Sequence, residues 1–187
     1  MKKIIVLFLL SIMLVLAGCN FGKTNNDKVS NDSTVTKADA EDSTIYGLCG
    51  EATAMHTLQI VKDNGDTLNI FMDMDQETNV QGGLEVGDRM AVMATKNDEG
   101  ELEASSVINI TTLLGRWTSI DKNFEIQEGG VVKSNIKAES HPYTSWKIFN
   151  GKLLLNKDTF TINQLGTDSL YLENAKGIFV YKRLIKK

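Results

Sequence analysis

Asn150-Gly151-Lys152-Leu153-Leu154-Leu155-Asn156-Lys157-Asp158-Thr159-Phe160-Thr161-Ile162-Asn163 places two reverse turns around two short strands. Asn-Gly tolerates the left-handed backbone of a tight hairpin, and Asn156-Lys157-Asp158 is a second cluster of turn formers. The runs between them, 152–156 and 159–163, have the usual length of a strand. The same rhythm extends in both directions, predicting strands at 116–119, 123–127, 131–136, 143–149, 169–173 and 178–183. Turns at Glu128-Gly129-Gly130, Gly166-Thr167-Asp168 and Ala175-Lys176-Gly177 separate them. Eight such strands form an up-and-down meander that can close on itself.

Upstream, residues 45–112 read as five strands. Leu58, Ile60 and Leu68, Ile70 alternate with polar residues around Asp63-Asn64-Gly65-Asp66, whose Asn-Gly pair predicts a hairpin with positive φ at both central positions. Met90 to Thr95 and Leu102 to Ile110 make another pair, with a glycine-rich turn at Gly82 to Asp88 between the two hairpins. About 68 residues with no helix signal longer than a turn suit a five-stranded barrel resembling the OB-fold. Composition also divides near Thr112. Residues 45–112 carry 12 acidic and 3 basic groups with two aromatics, and residues 113–187 carry 7 acidic and 12 basic groups with nine aromatics. The expectation is an all-β protein of two small domains, 45–112 and 113–187, whose opposite charges help them dock in a salt-sensitive way.

The N-terminus is an address. Lys2-Lys3 and the apolar run Ile4 to Ala17 have the form of a secretory signal peptide, too short to span a bilayer comfortably. Leu16-Ala17-Gly18-Cys19 resembles the bacterial lipobox, which implies removal of residues 1–18 and attachment of diacylglycerol and palmitate-type acyl chains to Cys19. Residues 19–44 are rich in Asn, Ser, Thr, Lys and Asp and make a lipidated flexible tether. Asn20 after the cysteine favours the outer membrane, on either its periplasmic or its cell-surface face. With Cys19 lipidated, Cys49 has no internal disulfide partner, and it reads as a buried thiol.

The meander also carries a resemblance. Gly115-Arg116-Trp117 opens its first strand and Tyr181-Lys182-Arg183 lies on its last, joined by Phe124-Glu125-Ile126, Gly129-Gly130-Val131, Ser134-Asn135-Ile136, Tyr143-Thr144-Ser145-Trp146 and Leu170-Tyr171-Leu172. The run resembles the lipocalin-like domain of small lipoproteins from gut-type Gram-negative bacteria, where it often follows a small OB-like β-domain. Lipocalins begin with a Gly-x-Trp whose indole closes one barrel end beneath a basic residue of the final strand. The resemblance thus assigns barrel closure to Trp117 and Arg183, with the Arg183 guanidinium near solvent. It supplies no catalytic residues. Tyr143 and Trp146 are the candidate ligand contacts, with Trp146 placed to line a mouth at the other end of the barrel. Against a large calyx, eight strands need about 24 inward side chains merely to fill the lumen, and the second block holds only 30 apolar residues.

Composition excludes other chemistry. The net charge of −4 gives no basic field for nucleic acid. Two histidines, His56 and His141, stand in different blocks and no Gly-x-Ser-x-Gly occurs, which disfavours an envelope hydrolase. Asp73, Asp75 and Glu77 lack the glycine and glutamate of an EF-hand loop and read as a solvated acidic face. Met55, Met72, Met74, Met90 and Met93 with Cys49 and His56 form a soft-ligand set for copper, weighed against methionine's ordinary use as core filler. The expectation is therefore a non-enzymatic, lipid-anchored envelope module without metal or cofactor, which binds an envelope protein or carries a small hydrophobic ligand.

Overall fold

The computed structural model describes residues 41–73 and 78–185. Among these, the chain forms fourteen strands and two short helical turns, in two sheets. The first sheet contains β1 (Ile45–Cys49), β2 (Thr57–Val61), β3 (Thr67–Phe71), β4 (Asn79–Gln81), β5 (Arg89–Lys96) and β6 (Leu102–Asn109), in the order β3-β2-β1-β5-β6-β4. β3 also meets β6 in parallel at Phe71 and Glu103, so the sheet curls back on itself. Alternation places Leu58, Ile60, Ile70, Met90, Val92 and Val107 inside, each fully buried. β4 was not legible in the sequence. It is three residues long and has no alternation to read, and it pairs in parallel with β6.

The hairpin at residues 63–66 forms, but only Gly65 has positive φ, at 87°. Gly65 N–H donates to Lys62 O at 2.9 Å, and Lys62 N–H donates to Asp66 O at 2.8 Å. Asn64 instead closes the loop through its side chain, donating to Asp66 Oδ2 at 2.8 Å. This loop is longer than the two-residue turn expected, so one left-handed residue suffices. Asn150-Gly151 is the two-residue kind, with φ of 47° and 71°.

The second sheet contains β7 (Gly115–Thr118), β8 (Asn123–Gln127), β9 (Val131–Ser134), β10 (Trp146–Phe149), β11 (Lys152–Leu155), β12 (Asp158–Leu165), β13 (Ser169–Asn174) and β14 (Gly177–Arg183). Consecutive strands pair antiparallel, and β14 returns to β7 at Lys182–Thr118 and Arg183–Trp117. β9 and β10 meet only at the Val131–Ser145 bridge and a 3.0 Å bond from Val132 N–H to Thr144 O. The result is a nearly closed eight-stranded barrel. Its interior is filled by buried side chains, including Trp117, Phe124, Ile126, Leu153, Leu155, Phe160, Leu170, Leu172 and Tyr181. Phe124 meets Tyr143 and Tyr181 edge to face at centroid distances of 5.4 and 5.1 Å.

Between the sheets lies one helical turn, α1 (Ile110–Leu113), where the sequence predicted strand as far as Ile110. Asn109, a fully buried polar residue, produces it. Its Oδ1 accepts Thr112 N–H at 2.8 Å, while its Nδ2 donates to Asp88 Oδ2 at 2.7 Å and Gly83 O at 3.2 Å. One side chain thus caps the connector and ties down the glycine-rich turn. Asn109→Ala is expected to cost about 1 to 2 kcal/mol, from a lost cap and two lost hydrogen bonds to partly exposed acceptors. Urea titration at constant m-value measures it; a loss below about 0.5 kcal/mol would contradict this account.

The two sheets share one compact unit, residues 40–187. Tyr46 Oη donates to Ile148 O at 2.7 Å, and Leu165 N–H donates to Gln81 Oε1 at 2.8 Å. Residues 41–44 form a strap on the β10–β11 turn. Ser43 N–H donates to Asn150 Oδ1 at 2.9 Å, Asn150 N–H to Thr44 Oγ1 at 3.0 Å, and Asn150 Nδ2 to Glu41 O at 3.1 Å. Among the described residues, the ion pairs Lys62–Asp66, Arg89–Asp63, Lys122–Glu139 and Lys176–Asp158 each lie within one sheet and its turns. The direct contacts named between the sheets are neutral hydrogen bonds, and the electrostatic docking expected from the block charges stays an expectation that scattering at low and high salt would check.

Candidate functional site

A cleft of about 560 Å³ opens where the barrel faces the first sheet. β1 supplies Tyr46 and Leu48, β5 supplies Arg89, and the connector supplies Ile110, Thr111 and Leu114. The opposite wall is the turn Glu128–Gly130 with Trp146, Lys147 and Ile148 of β10. Gly129 and Gly130 have φ of 75° and 81°, and a Cβ at Gly130 would stand 3.2 Å from the Trp146 carbonyl oxygen. Glycine here lets the turn close against β10.

The polar tips of both aromatic walls are engaged by backbone. Trp146 Nε1 donates to Gln127 O at 2.7 Å, and Tyr46 Oη donates to Ile148 O. Burial, with the charge of Asp42 second, pushes the Tyr46 phenol above its ordinary pKa, so it stays a neutral donor. Arg89 forms a two-point pair with Asp63, including Nη2 to Oδ2 at 2.8 Å. That hydrogen bond raises the guanidinium pKa and holds the Asp63 carboxyl below its usual value. Lys147 Nζ lies 4.2 Å from the Phe149 ring centroid. The cleft is therefore an apolar slot bordered by charged side chains, and Leu48 in its lining is 43% exposed.

The sequence-derived residues divide between core and cleft. Trp117 is fully buried and donates from Nε1 to Leu113 O at 2.9 Å. The Arg183 guanidinium carbon lies 4.1 Å from the Trp117 ring centroid. The guanidinium is not left to solvent as expected: it donates to Leu114 O at 2.7 Å, to Thr167 O at 2.5 Å and to Thr112 O. It thereby caps the open carbonyls of the connector, and burial lowers its pKa. Gly115 is constrained by the same group, since a Cβ there would come within 2.5 Å of Arg183 Nη1.

Tyr143 lies in the barrel core. It precedes β10, is only 8% exposed and packs against Phe124 and Phe160. Trp146 does line a cavity, but one facing the connector and the first sheet instead of a free barrel mouth. Of the copper set, Cys49, Met72 and Met90 share one buried apolar cluster as core, whereas Met55 is 76% exposed and His56 stacks on Phe71. Cys19, Met74, Asp75 and Glu77 lie outside the described residues. Sequence reading missed the cleft as a unit, because its walls come from positions as far apart as Tyr46 and Ile148.

Residues 109–184 match the lipocalin-like family model, and residues 1–20 match the model of the prokaryotic membrane lipoprotein lipid attachment site. Fold and matches together define a lipoprotein with a lipocalin-like domain. The chain is similar to the membrane-bound protein LytA of Bacillus subtilis (strain 168), 30% identical over 103 residues that take in 54% of this chain and 91% of that protein. It belongs to the family of that membrane-bound protein. No solved structure matches it.

Proposed function

We propose that this protein is a non-enzymatic binding module of the cell envelope, anchored through lipid on Cys19, with its ligand seat in the cleft between the sheets. The observation that carries the reading is the cleft itself: Tyr46 and Trp146 with engaged polar tips, an exposed Leu48 in the lining, and charged side chains beside them. Such a slot suits an apolar ligand or partner side chain that carries a polar group toward Glu128, Arg89 or Lys147. The filled barrel interior supports placing the ligand here rather than in the lumen. The ring of pairings in the first sheet, with β1 joined to both β2 and β5 and β3 joined to β6, supports an OB-like domain over residues 45–112. An outer-membrane address is part of this reading and rests on Asn20 alone.

Trp146 reports on the cleft, and the other tryptophan is buried in the core. Native mass spectrometry of gently purified protein is expected to show a stoichiometric bound species that Leu48→Glu releases while the thermal melt stays at that of the parent. A bound species retained by Leu48→Glu would move the site elsewhere. A preparation without any bound species, whose Trp146 emission is unmoved by envelope extract, would overturn the reading.

A further inference from the structure

At the end of the barrel away from the connector, β14 pairs with β13 along its whole length but with β7 only at Lys182 and Arg183. β7 stops at Thr118 because Ser119 starts a turn. Its N–H donates to Lys122 O at 2.8 Å, and its hydroxyl donates to Asp121 Oδ1 at 2.8 Å. Ile120, which an unbroken ladder would set opposite Val180, is instead fully exposed. The direction of the backbone groups follows from ladder parity. Arg183 N–H donates to Asp168 O on the β13 side, and Leu184 N–H donates to Arg116 O on the β7 side. Even-numbered residues of β14 therefore aim N–H and C=O toward β7. For Ile178 and Val180 no strand stands there among the described residues.

The side chains of these two residues are exposed as well, beside a groove of about 490 Å³ that Lys182 and Asp121 also line. We infer that this seam takes up an extended peptide segment of a partner protein by strand addition, with apolar residues opposite Ile178 and Val180 and a carboxylate at the end of the segment nearest Lys182. Two donor–acceptor pairs spaced two residues apart match the repeat of an extended backbone. A bilayer would leave those groups unsatisfied. Lys182 follows Val180 on the same exposed face of β14, with Thr118 and Ser169 as its own ladder partners, so an acidic side chain at the adjoining end of the incoming strand completes the charge match.

The test uses the mature lipoprotein in neutral-detergent micelles and a fluorescein-labelled hexapeptide of alternating valine and threonine ending in aspartate, read by anisotropy. Saturable binding is expected, weakened about tenfold or more when alternate peptide amides are N-methylated. Val180→Pro should act likewise, since it removes a donor on the open side and leaves the β13 bonds of Phe179 and Tyr181 in place. Lys182→Glu should weaken the aspartate peptide but not a lysine-ended one. Equal binding of the N-methylated peptide, made on unaltered protein, would overturn strand addition. So would absence of binding, or self-association of the protein that Val180→Pro abolishes, which would make a second copy the occupant.

Discussion

Trp117→Ala is expected to remove about 3 to 5 kcal/mol of folding stability, a large share of what a small domain possesses. The indole is fully buried, donates to the connector at Leu113 O and forms the surface on which Arg183 lies. Truncation leaves a cavity and an unpaired carbonyl together. Arg183→Met tests the other half of the lid. A cation–π contact alone would make that change worth about 0.5 to 2 kcal/mol. The carbonyls of Thr112, Leu114 and Thr167 would also lose a charged donor, so about 2 to 4 kcal/mol is expected. Because both residues act on one connector, the double variant should lose less than the two single losses added. Denaturant melts of the three variants decide; a Trp117→Ala protein that melts like the parent would refute this account of barrel closure.

Cys19→Ser is expected to have an effect of another kind, moving the protein out of the membrane fraction altogether. Each buried methylene contributes about 0.8 kcal/mol, so two or three acyl chains anchor almost irreversibly where one is marginal. Serine offers no thiolate for the diacylglycerol, and the precursor should keep its signal segment and fail to incorporate labelled palmitate. Unchanged fractionation in detergent-free extracts would sink the assignment of Cys19.

How far the fold could be read depended on where the information was local. The eight barrel strands were legible because turn formers such as Asn150-Gly151 recur at strand spacing and dictate a backbone that few other residues adopt. The helical turn at Ile110–Leu113 was not, since its cause is the three hydrogen bonds of Asn109, two of them to Gly83 and Asp88 more than twenty residues away. The same reason explains Tyr143. Its sequence neighbours made it look like strand, and only the approach of Phe124 and Phe160 makes it core. Net block charge is a coarser signal: it sums groups wherever they sit, and it does not reveal individual contacts such as the hydrogen bond from Tyr46 to Ile148 O. The cleft lay furthest from view, because Tyr46, Arg89, Glu128 and Trp146 meet only after both sheets have formed.

The strap at residues 41–44 determines how the protein bears mechanical load. Any pull transmitted from a lipid anchor reaches the folded unit at Ser43 and Thr44, which are held to Asn150 of the barrel before the chain enters β1. β1 lies between β2 and β5, so tension along it shears two ladders at once instead of peeling an edge strand. The barrel and the first sheet are thus hauled together from their junction.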